Sequence, residues 1–226
     1  MDVSESPIDQ LERLITPYYV LHQALWDRMI AIARADGWRA VAAQHYYVMK
    51  AAVPLLEFAA GHARAKGPGY DQFVHWCLHH ADEEREHHLW FLEDLAAIGC
   101  DRQQIVHAVP EDEILDLLGA QFALSATVEP TAILGFFFAM EAHPSDSAAV
   151  VALSDQLGIP RDGLRTILFH TEEDPEHAAV ICDMVERYGH GSAFPAMCRS
   201  AARSISGWTR LFYRYAARYS AMTTGK

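Results

Sequence analysis

His170-Thr171-Glu172-Glu173-Asp174-Pro175-Glu176-His177 decides how this chain is read. Its metal-competent side chains, His170, Asp174 and His177, stand at i, i+4 and i+7. On an α-helix those positions advance about two turns along one stripe, so all three can face one point. Upstream, Glu84-Arg85-Glu86-His87 repeats the carboxylate-x-x-histidine spacing of Asp174 and His177. Each pair is preceded by an isolated glutamate at a similar separation. Glu57 follows Ala51-Ala52-Val53-Pro54-Leu55-Leu56, and Glu141 closes Phe136-Phe137-Phe138-Ala139-Met140. A carboxylate in such an apolar run is costly to bury unpaired, and a metal ion compensates it. Two glutamates and two carboxylate-x-x-histidine pairs, spread over four helices, are what a helical two-metal carboxylate site needs. Oxygen and imidazole donors without thiolate suit iron or manganese rather than structural zinc.

The composition is compatible with that chemistry and excludes other classes. With 226 residues and 51% apolar side chains, the chain can bury a substantial core. It shows no apolar run of membrane-spanning length and no signal peptide, so a cytoplasmic protein is expected. A net charge of −12 without a basic run argues against nucleic acid and anionic membrane surfaces as partners. Four widely spaced cysteines, Cys77, Cys100, Cys182 and Cys198, form no CxxC and read as buried reduced thiols. Thirteen histidines, some clustered as in His79-His80 and His87-His88, keep metal binding in play.

Apolar residues recur at three and four throughout, so the chain reads as all-α. A first helix is expected from Ile8 to Ala35, ended by Gly37, and a second from Arg39 to Ala65, bent at Pro54. Lys66-Gly67-Pro68-Gly69 is a turn. A third helix covers Tyr70 to Ile98. A fourth opens after Pro110 and runs to Thr127, and a fifth spans Thr131 to His143. Pro144-Ser145-Asp146 separates a short helix from Ser147 to Leu157. A seventh follows Gly158-Ile159-Pro160 up to Tyr188, and an eighth runs to about Ala221. Pro175 lies inside the seventh and is expected to kink it. With no linker or repeat, residues 1–226 read as one helical domain.

Several assignments stay open at this level. Glu83, Glu84 and Glu86 belong to one acidic run, most of which is expected to be solvated. Glu83 or His88 could replace Glu84 or His87 as the pair member. Glu172, Glu173 and Glu176 are expected on the surface.

Ferritin-like bundles use two Glu…Glu-x-x-His units and do not ordinarily need a histidine one turn before the last carboxylate. His170 is that histidine. The triplet His170, Asp174 and His177, with Glu57, Glu84, His87 and Glu141, resembles the heme-oxygenase-like diiron oxidases and oxygenases. The resemblance spans Glu57 to His177. It implies an all-α, single-domain heme-oxygenase-like bundle of seven to eight helices without heme. It implies two iron ions (Fe2+/Fe3+) with O2 as co-substrate, an external electron donor as a compatible partner, and a homodimer as a compatible state. The implied metal ligands are Glu57, Glu84, His87, Glu141, His170, Asp174 and His177, with Glu84 and Asp174 as catalytic residues. The implied substrate is a small molecule, amino-acid-like or a natural-product precursor. The reactions in question are N-oxygenation, desaturation, carbon–carbon cleavage and decarboxylation.

Two features depart from the family pattern. The separation from Glu57 to His87 is short for it. His80 stands where some relatives place a carboxylate, and it could be a ligand, a supporting group or a structural residue. Phe136, Phe137, Phe138, Phe169 and Trp90 could wall a substrate cavity, and Arg165, Lys50, Tyr46 or Tyr47 could meet a substrate carboxylate. The rival readings are a TenA-like cysteine hydrolase using Cys77 or Cys182, a ferritin-like iron-binding protein, and a heme oxygenase with His22 as proximal ligand.

Overall fold

Helix α1 (Pro7–Lys66) opens on Ser6, whose Oγ accepts from the Asp9 amide at 3.1 Å. Pro7 takes the first helical position, where its missing N–H costs nothing. The computed structural model describes residues 5–143 and 146–224, apart from the side chains of Asp174, Thr223 and Thr224. The break expected in this region falls at Arg34, with φ 51° and ψ −130°, and not at Gly37. Gly37 serves packing instead: a Cβ there would lie 2.9 Å from Ala33 Cβ and 3.3 Å from Met29 Cγ. Beyond Arg34 the helix continues through Pro54 without a further break. Pro54 is exposed, so water can serve the Lys50 carbonyl that the proline leaves without a donor.

The single helix expected from Tyr70 to Ile98 is split. α2 (Asp71–Glu83) passes into one turn of 3₁₀ helix at Glu84–Glu86 and then into α3 (His87–Ala97). The tighter turn shifts the helical phase. It buries Glu84 while its neighbours Glu83, Arg85 and Glu86 stay exposed. A short helix the periodicity does not reveal follows, α4 (Arg102–His107), capped by Asp101 Oδ1 on the amides of Gln103 and Gln104.

Then come α5 (Asp112–Thr127), α6 (Ile133–Glu141), α7 (Ser147–Leu157), α8 (Arg165–Tyr188) and α9 (Ala193–Thr224). Of the turn read at Pro144-Ser145-Asp146, the first two residues lie outside the described ones. α8 runs unbroken through Pro175, which is exposed. The described residues thus form nine α-helices and no strand, against seven or eight expected. The chain is a single all-α domain with one apolar core. Among the described residues no helix is long and apolar enough to cross a membrane.

α1 lies along α9 and α2, and α6 packs between α9 and α8. Phe73, Phe91, Phe137 and Phe138 fill the centre with no exposed surface to speak of. Each such burial is worth roughly 1.5–3 kcal/mol relative to exposure.

Two contacts set the helices that matter for the site. Gly135 of α6 meets the α9 backbone so closely that a Cβ would fall 2.0 Å from the Met197 carbonyl oxygen. Gly135→Ala must push α6 off α9, and we expect it to lower stability by about 3 kcal/mol or more, read as a fall in the thermal midpoint. Asp94 of α3 is buried and accepts from the Thr166 amide at 2.6 Å, capping the start of α8 from a neighbouring helix. Arg165 lies 3.4 Å from the other Asp94 oxygen. The register of α8 against α3 is tied by this cap, and α8 carries His170 and His177.

Candidate metal centre

Two side-chain clusters form where α2, α3, α6 and α8 meet. In the first, Glu84, His87 and His170 each offer a ligand atom, all within 4.8 Å of one another. Glu84 is 4% exposed and His87 3%. His87 Nδ1 lies 3.0 Å from Glu84 Oε2, and the His87 and His170 rings meet edge to face at 4.9 Å. Burial by itself would raise the Glu84 carboxyl. His87, His170 and His80 outweigh it and hold that carboxyl below the ordinary carboxylate range.

In the second cluster His80, Glu83 and His177 offer ligand atoms within the same 4.8 Å. Glu141 joins them. Its Oε2 lies 3.3 Å from His80 Nε2 and 3.6 Å from His177 Nδ1. Glu83 Oε2 lies 3.4 Å from His80 Nδ1 and 3.7 Å from His177 Nε2. Two imidazoles are thus each flanked by the same two carboxylates. Burial lowers His80, but Glu141, Glu84 and Glu83 more than reverse this and push it up to about 9.

Local geometry explains most of this placement. His170 and His177 are two turns apart on one stripe of α8. His80 and Glu83 are an i, i+3 pair at the end of α2, and Glu84 and His87 are an i, i+3 pair that spans the 3₁₀ turn. Glu141 ends α6, where a carboxylate faces the negative end of the helix dipole and gains from a nearby cation.

Glu57 does not join. It is half-exposed, with Oε1 3.6 Å from Arg85 Nη2. The buried stripe of α1 runs through Ala52, Leu55, Leu56, Ala59, Ala60 and Ala63, and Glu57 falls on the other side. The side chain of Asp174 lies outside the described residues. His88 packs beside the Tyr46 ring and belongs to neither cluster.

α1 contributes His45 instead. It shares a stripe with buried Val41, Ala42, Val48, Met49 and Ala52, and that stripe was the one signal for it in the sequence. Burial, reinforced by His170, lowers His45 to about 4, so the imidazole is neutral.

A cavity of about 700 Å³ opens beside the clusters, with Glu84, Glu141, His170 and His45 in its wall. Phe136 and Phe137 line it as expected. Trp90 and Phe169 instead pack against His87 at 4.7 and 5.4 Å. Phe138 is core. The expected carboxylate partners are engaged elsewhere. Arg165 pairs with Glu93 and Asp94, Lys50 lies over the Tyr46 ring, and the Tyr47 hydroxyl donates to backbone carbonyls.

The donor set fits iron. It is carboxylate and imidazole without thiolate. Glu84 Oε1 is buried with no hydrogen-bond donor, an arrangement that costs free energy unless a cation faces it.

Among solved structures, the chain is similar to a domain of unknown function with a heme oxygenase-like fold from Shewanella denitrificans. The TM-score is 0.76 at 18% identity, over 95% of this chain and 94% of that one. The fold is therefore heme-oxygenase-like. No curated protein matches the chain. A family model described as iron-containing redox enzyme matches residues 39–208, the span that holds both clusters and most of the cavity. The chain belongs to this family of iron-containing redox enzymes.

Proposed function

We propose that the chain is a non-heme enzyme in which two iron ions and O2 oxidise a small, largely apolar molecule. The observation that carries this reading is the pair of neighbouring carboxylate–imidazole clusters, from which Glu84, His170 and Glu141 reach the wall of one cavity. Glu84, His87 and His170 would hold one ion. His80, Glu83, Glu141 and His177 would hold the other. When bound, ferrous iron supplies the electrons that O2 accepts, and an external electron donor completes a cycle of this kind.

The chain's own residues do the rest. Glu83, Glu84 and Glu141 would offset three of the four positive charges of two ferrous ions. His45, held neutral by burial, adds a polar group beside Glu84 without a competing charge. Phe136, Phe137 and Trp208 keep water from the reacting end of the cavity.

The rival readings have less support. All four thiols are raised by burial, none lines the cavity, and Cys77 is fully buried, so an activated cysteine nucleophile is missing. His22 does line the cavity, but no lysine or arginine among the described residues lines it to meet heme propionates. An iron store needs no enclosed apolar cavity.

The deciding experiment is anaerobic loading with Fe(II), metal analysis and an optical spectrum after O2 exposure. About two iron ions per chain and no heme band are expected. Stoichiometric zinc bound through cysteine would overturn the proposal.

A further inference from the structure

We infer that the cavity selects an apolar amine, a hydrocarbon body carrying an ammonium group and no carboxylate. This rests on the metal-centre reading and names its substrate class. The first observation is charge. The ionisable side chains lining the cavity, among the described residues, are carboxylates, histidines and one tyrosine: Asp27, Glu84 and Glu141 line it, and no lysine or arginine does. Arg34 stands behind the wall, donating to the backbone carbonyl of Gln156 at 3.1 Å. Glu84 and Glu141 are spent on the ions. Asp27 is not: it lines the cavity from a solvent-exposed position, where Gln23 Nε2 donates to it at 2.7 Å. Away from the ions, a substrate carboxylate would find no cationic side chain in the wall and one anion, Asp27.

The second observation is the run of rings that leads from the metal clusters to Asp27. His45, beside Glu84 and His170, packs on Trp208 at 5.6 Å. Trp208 packs on Phe212 at 6.1 Å, and Phe212 on Trp26 at 5.5 Å. Trp26 meets Trp38 edge to face at 5.8 Å and, like Asp27, lines the cavity. Ring faces carry negative potential and attract an ammonium, tryptophan most strongly. His22, on Phe212 at 4.3 Å, is lowered by burial to about 4 and adds no positive charge to this wall. An ammonium at Trp26 and Asp27 therefore places the hydrocarbon body along Phe212 and Trp208, with its far end toward Glu84 and His170.

The test uses octylamine, octan-1-ol and octanoate, which share one chain and differ in the head group. Binding is followed by intrinsic tryptophan fluorescence in metal-free protein and in anaerobic Fe(II)-loaded protein. Octylamine is expected to bind about tenfold more tightly than octanol in both forms, and octanoate most weakly in the metal-free form. Asp27→Asn should remove most of the amine preference, and Trp26→Leu should lower the ratio of octylamine to octanol affinity. Octanoate binding as tightly as octylamine in the metal-free form would overturn the inference. So would a preference that survives Asp27→Asn and disappears in Glu84→Gln, since the amine would then occupy the metal cluster. Iron analysis on the same samples separates the two readings. Two-iron protein without amine preference defeats only this inference, and amine preference without iron uptake defeats only the metal reading.

Discussion

His170→Ala is expected to lower O2-dependent turnover about 10³-fold, equivalent to roughly 4 kcal/mol of lost transition-state stabilisation. His170 is the member of the first cluster that comes from α8, while Glu84 and His87 come from the other side of the bundle. Without it the cluster keeps two donors and its ion loses its anchor on α8. The helix should survive, because its start is held by the Asp94 cap rather than by His170. Circular dichroism should therefore be nearly unchanged while turnover and iron content fall together. Full activity in this variant would remove both the two-iron reading and the importance of the i, i+4, i+7 triplet.

The second large effect contrasts His80 with Glu57. His80→Ala should reduce bound iron from about two ions per chain to about one. Glu57→Ala should leave it at about two. His80 is 2% exposed and stands between Glu83 and Glu141, so its loss leaves those carboxylates facing one another with a single imidazole between them. Glu57 is exposed beside Arg85 and touches neither cluster. Iron measured after gel filtration of anaerobically loaded protein reads out both variants. The opposite pattern, with iron lost in Glu57→Ala and kept in His80→Ala, would show that α1 must rotate to deliver Glu57.

What the sequence by itself determined is the part of the site governed by helical spacing. His170 with His177, and Glu84 with His87, share faces because i, i+3 and i+7 are local geometry that any α-helix obeys. Glu141 stood out as the single acid at the end of an apolar helix, and the all-α class followed from the period of the apolar residues. Fold and family were legible for the same reason, since the recognisable spacings lie within single helices.

Tertiary structure decided the rest. Around Glu57 the chain is apolar on nearly every side, so periodicity could not tell the buried stripe from the exposed one. Packing against α2 and α9 made that choice and brought His45 forward. Within Asp82–His88 the 3₁₀ turn decided which acids belong to which cluster, and a turn of three residues leaves no periodic mark. The role of His80 stayed open in the sequence because its partners Glu141 and His177 lie on helices distant in sequence. Only the meeting of α2, α6 and α8 places two carboxylates against its two ring nitrogens, because side-chain chemistry at a helix junction is set by which helices touch.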